Sequence, residues 1–155
     1  MREIQFQRHG AGHAAFSTTS PHSVHIDGEH WPTVEHYVQA HRFLASDIQR
    51  QDIQAATCGS EVQRIVVCSQ AETRPDWTDV RDGLMYRGLM AKCRQHPGVR
   101  DALLATGSCL LSLRRHGDRY WGDGGDGSGQ NMVGRTLMAI REELRRESGV
   151  AVTPR

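Results

Sequence analysis

Lysine is nearly absent. Of the 19 basic side chains in this 155-residue chain only Lys92 is a lysine, and the rest are arginine. Arginine stays protonated in proteins, whereas a buried lysine amine can lose its proton. The one retained lysine is therefore a candidate nucleophile or base, set against the plain alternative that one lysine has to sit somewhere. Net charge is also missing: 19 basic and 18 acidic residues leave +1. That balance gives no overall pull toward nucleic acid or a membrane surface, and leaves only a local patch as a possibility. No apolar run approaches the roughly 18 residues that cross a bilayer, and the opening MREIQFQRHG has no apolar segment of a secretory leader. The four cysteines, Cys58, Cys68, Cys93 and Cys109, form no C-x-x-C pair. They are expected to be reduced thiols, mostly core filler, with the cytoplasm as the default compartment. Nine histidines are present, but there is no H-E-x-x-H and no Cys/His cluster, and His36 and His41 are spaced five apart, off one helix face. Neither a metal nor another cofactor is expected. Ser17, Ser20 and Ser23 lack the context of a nucleophile elbow.

The length suits one domain with a continuous core, and 37% hydrophobic with 24% charged residues is a globular balance. Patterning predicts strands over 2–6 and 23–27, with Gly28 as a turn residue. Trp31-Pro32-Thr33 should open a helix running to about Leu44, capped by Thr33. A second helix is expected over 47–57 from Asp47. Segment 60–69 is rich in β-branched residues and reads as helix or strand. Residues 76–95 form a helix capped by Asp76, with Gly88 as a close-packing point, and Pro97 stops it. A short helix over 98–105 and an extended 108–113 follow. The last helix, 131–147, carries Val133, Leu137, Ile140 and Leu144 at helical spacing, and its REELRRE end reads as a solvated charged face. The expectation is a helix-dominated α+β domain over 1–147 with a small sheet, and a flexible tail over 148–155.

Two segments could carry chemistry. The first is DRYWGDGGDGSGQN, from Asp118 to Asn131. Its glycines, including Gly122, Gly124 and Gly125, let backbone amides approach a ligand, and the segment runs into the start of the last helix, which favours an anion. A phosphate or ribose cradle fits, with Trp121 stacking on a planar base. A purely structural loop is the alternative. A dinucleotide fold lacks its strand–helix–strand context, a P-loop lacks its G-K-[ST], and Asp123 and Asp126 lack the spacing of a calcium loop. The second segment is WPTVEHYVQ, in which Glu35 lies at an aromatic-rich helix start. A carboxylate buried there suits general acid or base work. A first-turn glutamate placed for the helix dipole is the competing explanation.

These segments resemble the YbiA-like (NADAR) family. The resemblance rests on Phe16-Ser17, IDGEHWPTVEHYVQAHRF (26–43), RPDW (74–77), LMAKCRQHPGVRDALLATG (89–107), DRYWGDGGDGSGQNMVG (118–134) and LMAIREEL (137–144), in order along the chain. It implies a YbiA-like α+β fold and an N-glycosidase. The family's substrate classes are ribosylaminopyrimidine phosphates of early riboflavin biosynthesis and ADP-ribose attached to guanine. Its helix-start glutamate falls on Glu35, its lysine on Lys92, its aromatic positions on Trp77 and Trp121, and the acid before Y-W-G on Asp118. The usual F-S-N-F reads Phe16-Ser17-Thr18-Thr19 here, the usual A-Q-K-F lysine is Arg42, the A-K-F phenylalanine is Cys93, and a usual glutamate is Leu113.

The resemblance implies cleavage of the C–N bond between ribose 5-phosphate and an aminopyrimidine, with Glu35, Lys92 and Asp118 as catalytic residues. Trp77, Trp121, Gly122, Asp123, Gly124, Gly125 and Asn131 would bind a small-molecule ribosyl phosphate. A nucleic-acid substrate carrying ADP-ribosyl-guanine is a lesser alternative that needs a basic stripe beside the site. A catalytically silent nucleotide-binding module is another.

Overall fold

The computed structural model describes residues 1–8 and 12–149. In chain order its elements are β1 (Glu3–Phe6), a 3-10 turn (Ala14–Phe16), β2 (Val24–Ile26), β3 (Glu29–Trp31), α1 (Val34–Arg42), α2 (Asp47–Ala55), α3 (Gly59–Cys68), α4 (Trp77–Gln95), α5 (Pro97–Ala105), β4 (Leu110–Leu113) and α6 (Met132–Glu147). The architecture is helix-dominated α+β. The chain divides into two compact units, Thr18–His96 and the flanking Met1–Ser17 with Pro97–Arg155.

In the first unit β2 and β3 form a hairpin, pairing Val24 with Trp31 and Ile26 with Glu29. Asp27 (φ 53°) and Gly28 (φ 79°) make its turn, and positive φ at both central residues is what a two-residue hairpin demands. Val24, Ile26 and Trp31 face inward. Trp31 thus ends a strand rather than opening the helix. The helix starts at Val34, and Thr33 caps it by accepting from the His36 amide. α1 packs against α2, α3 and α4, and six of its nine residues are buried. Gly88 on α4 meets it closely, since a Cβ there would lie 2.8 Å from Val34 Cγ1. The β-branched segment resolves as helix α3. Ser46, rather than Asp47, caps α2. Asp76 does not cap α4 through its side chain, because Arg74 holds its carboxylate with two hydrogen bonds, of 2.5 and 2.9 Å.

In the second unit β1 and β4 run parallel, from Glu3 opposite Leu110 to Phe6 opposite Leu113. The expected small sheet is therefore two separate two-stranded pairs among the described residues. α6 packs on β4 and α5, and Val133, Leu137, Ile140 and Leu144 are all buried as their spacing predicts. The REELRRE end is not solvated throughout. Arg141 is buried and donates to Thr106 Oγ1 at 2.7 Å and to the Cys109 carbonyl at 2.9 Å. Only Cys93 fills a core; Cys58 and Cys68 are exposed and Cys109 is half-buried, and all four are free thiols. Of the expected tail only Ser148 and Gly149 are described, and 150–155 lie outside the described residues. No helix among the described residues is long and apolar enough to cross a membrane.

Candidate active site

Glu35 sits in the first turn of α1 and is 5% exposed. An ionised carboxylate in such a place needs hydrogen-bond donors. Thr18 Oγ1 donates to Oε2 at 2.8 Å, and Gln39 Nε2 donates to Oε1 at 3.1 Å. The Glu35 amide donates back to the Thr18 carbonyl at 3.0 Å. Gln39 is one helical turn beyond Glu35, on the same face. Thr18 comes from the segment before the hairpin. The two donors leave further lone pairs on a carboxylate that has about four. Next to it, His36 is fully buried yet structural: its ring bridges Thr33 Oγ1 (2.7 Å) and the Ala56 carbonyl (2.9 Å).

Lys92 lies on the buried side of α4 and is 2% exposed. Its Nζ donates to Ser20 Oγ at 2.5 Å. Burial pulls its pKa down to about 7, so a substantial fraction of the amine is neutral at physiological pH. The neighbouring Cys93 thiol is pushed up to about 11 by its own burial and stays protonated. Ser20 also meets His22 Nδ1 at 2.9 Å. The segment 18–22 thus places Thr18 on Glu35 and Ser20 on Lys92. Neither contact has a local signal in the sequence; the Ser20–Lys92 pair is 72 residues apart. Of the missed residues only Gln39, four beyond Glu35, could have been found by spacing.

Trp77 begins α4 and is 9% exposed. The Arg42 guanidinium lies over its ring, 5.8 Å from the centroid, and also near Phe43. Arg42 Nε is anchored on Thr73 Oγ1 at 3.0 Å. The arginine that stands where the resemblance expects lysine therefore covers Trp77, which leaves that tryptophan little face for a planar ligand.

The glycine-rich loop belongs to the other unit and is bonded to itself. Asp118 Oδ1 accepts from the amides of Tyr120 (3.2 Å) and Trp121 (2.9 Å), and its other oxygen faces Arg115 at 3.4 Å. Asp123 is buried, and its Oδ1 accepts from Arg115 and Gly125 amides. The Gly124, Gly129, Gln130 and Asn131 amides donate to loop carbonyls, and the first α6 amides, of Met132 and Val133, donate to Tyr120 and Trp121 carbonyls. The amides that a phosphate cradle would offer are thus largely committed. Asn131, in the left-handed region at φ 53°, accepts from Leu113 N–H at 2.9 Å and donates to the Leu111 carbonyl at 2.8 Å. Gly122 and Gly125 are required by close approach: a Cβ on Gly125 would lie 2.2 Å from His116 Nδ1. Trp121 is half-buried, edge-on to Tyr120, and it keeps the more open ring of the two tryptophans. No group of three or more His, Cys, Asp or Glu among the described residues is placed to hold a metal ion.

The NADAR domain family matches residues 5–145. The chain belongs to the NADAR family. An N-glycosidase of Nostoc punctiforme is 37% identical to this NADAR chain over 144 residues, 92% of each protein. A riboflavin biosynthesis protein of Vibrio vulnificus is 37% identical over 142 residues, 91% of this chain and 38% of that longer protein. The NMR structure of the E. coli protein YbiA superposes with a TM-score of 0.84 at 33% identity, covering 97% of this chain and 90% of that one.

Proposed function

We propose that this NADAR protein is an N-glycosidase that cleaves the C–N bond between ribose 5-phosphate and an aminopyrimidine, with Glu35 at the reacting carbon. The observation that carries the assignment is the Glu35 carboxylate, buried and gripped from two sides by Thr18 and Gln39. Breaking an N-glycoside develops positive charge at the anomeric carbon. A fixed carboxylate stabilises that charge or activates the water that attacks it. The kinship with a named N-glycosidase and with a named riboflavin biosynthesis protein supports the reaction and the ribosylaminopyrimidine class.

Lys92 supports a covalent course. A ribosylamine opens to an imine, and the neutral Lys92 amine adds to its C1. The C–N bond to the aminopyrimidine then breaks, and the pyrimidine amine leaves with a proton. Water hydrolyses the lysine imine, releasing ribose 5-phosphate and restoring the amine. Asp118 accepts from the Tyr120 and Trp121 amides on one oxygen and faces the Arg115 guanidinium with the other. Those two bonds fix the backbone at Trp121.

Mass spectrometry of the purified protein with the ribosylaminopyrimidine phosphate that a cyclohydrolase makes from GTP tests the reading. Ribose 5-phosphate is the expected product. Cleavage of ADP-ribosyl-guanosine alone, run in parallel, would overturn the aminopyrimidine assignment, and silence from both would overturn the enzymatic one.

A further inference from the structure

We propose that Ser20 and His22 form a proton path for Lys92, connecting its buried amine to a half-buried imidazole. The proposal rests on the reading that Lys92 acts as a neutral amine. The geometry is a chain: Lys92 Nζ donates to Ser20 Oγ, and the Ser20 hydroxyl, donating in turn, meets His22 Nδ1 2.9 Å away. The His22 backbone N–H donates to the Ser20 carbonyl at 2.7 Å, which holds the two residues in a tight turn. His96 packs edge-on against the His22 ring at 5.1 Å, and is itself fixed by donating from Nε2 to the Ser23 carbonyl at 2.6 Å.

The lysine route requires the amine, 2% exposed, to shed and regain a proton each turnover, and the Ser20–His22 chain gives that proton a route toward solvent. The transfer balances in one concerted step. An N–H bond of the Lys92 ammonium breaks and its proton goes to Ser20 Oγ. The Ser20 O–H proton goes to the lone pair on His22 Nδ1, and the imidazolium releases its Nε2 proton to solvent. The groups acting on the pair suit this direction. Cys93 beside the amine stays a neutral thiol. Burial, then Lys92, then His96 lower the pKa of His22, so its ring is neutral and able to accept at pH 7, and a proton on it does not linger.

The experiment compares turnover of the ribosylaminopyrimidine phosphate by the full chain and by Ser20→Ala, Ser20→Thr, His22→Asn and Lys92→Gln. Asn at 22 can accept the Ser20 hydroxyl but cannot take its proton. The proposal expects Ser20→Ala and His22→Asn to lower kcat at pH 7 by about a hundredfold, the lower end of what a positioned proton acceptor contributes. KM should stay nearly unchanged. Ser20→Thr, which keeps the hydroxyl, should keep most of the rate. Added imidazole should restore His22→Asn in a concentration-dependent way, a response that a merely structural residue would not show. Wild-type rates in Ser20→Ala and His22→Asn across pH 6–9, or a loss in His22→Asn that imidazole does not relieve, overturn the path. Full activity of Lys92→Gln instead overturns the reading of Lys92 on which the path rests. Because the chain has a single lysine, carbon-13 labelling of lysine gives one side-chain resonance. Its titration near pH 7 in the wild type supports that reading, and an ordinary midpoint near 10.4 contradicts it.

Discussion

Glu35 and His36 are adjacent on α1 and both buried, yet their hydrogen bonds give them different work. Both ring nitrogens of His36 are engaged within the fold, and burial lowers its pKa below the usual 6.5. The unfolded chain therefore binds a proton more readily than the folded one. The contribution of His36 to stability is complete above about pH 6.5 and is lost as pH falls below that value toward the lower folded pKa. Melting temperatures measured between pH 7.5 and pH 5 should fall for the wild type and fall less steeply for His36→Gln. Parallel slopes would exclude His36 as the sensitive group. In the proposed mechanism Thr18 positions the Glu35 carboxylate, to which it donates. Thr18→Val keeps the shape and removes a hydrogen bond to a charged group, a loss of about 1.5–3 kcal/mol. Steady-state kinetics should show kcat down about tenfold or more, with the fold intact. Thr18→Asn, which restores the residue usual in the family's F-S-N-F, should retain activity, and an unimpaired Thr18→Val would remove Thr18 from the site.

At the scale of elements, the glycine-rich loop is a brace for β4 and α6 before it is anything else. Asn131 bonds to Leu111 and Leu113 along β4, while β1 pairs with the same strand. Asn131→Ala leaves a strand amide and carbonyl without those partners, at a cost of about 2–4 kcal/mol, and differential scanning calorimetry should show a melting point roughly 5–15 °C lower. An unchanged melting point with a raised KM would instead make Asn131 a substrate contact. The α6 stripe of Val133, Leu137, Ile140 and Leu144 was readable because burial on one helix face repeats along the sequence. Thr33 was readable as a cap because capping is local. The parallel pairing of β1 with β4 was not, since its partners are more than a hundred residues apart and nothing local in either segment points to the other. Asp76 misled for a local reason of another kind: Arg74, two residues away, competes for the same carboxylate. The glycines pointed to a ligand cradle because close approach of backbone to ligand and of backbone to backbone leave the same residue in the sequence.

For the whole molecule, one family match runs through both compact units, so the fold and the reaction class were legible from motifs spread along the chain. Glu35 and Lys92 stood out in the sequence as candidates, one from its helix-start setting and the other from the scarcity of lysine, and both are buried. Their partners Thr18, Ser20 and His22 did not stand out, because only tertiary packing brings that short segment to both α1 and α4. The central claim is that the buried Glu35 carboxylate drives N-glycoside cleavage. The measurement that tests it most directly is ribose 5-phosphate release from the ribosylaminopyrimidine phosphate by the wild type and by Glu35→Gln, with melting temperatures alongside. Gln keeps an acceptor for Thr18 but loses the charge. The account predicts steady release by the wild type and a loss of a hundredfold or more in the variant, at a melting temperature within a few degrees. A folded Glu35→Gln that turns over at the wild-type rate would contradict it.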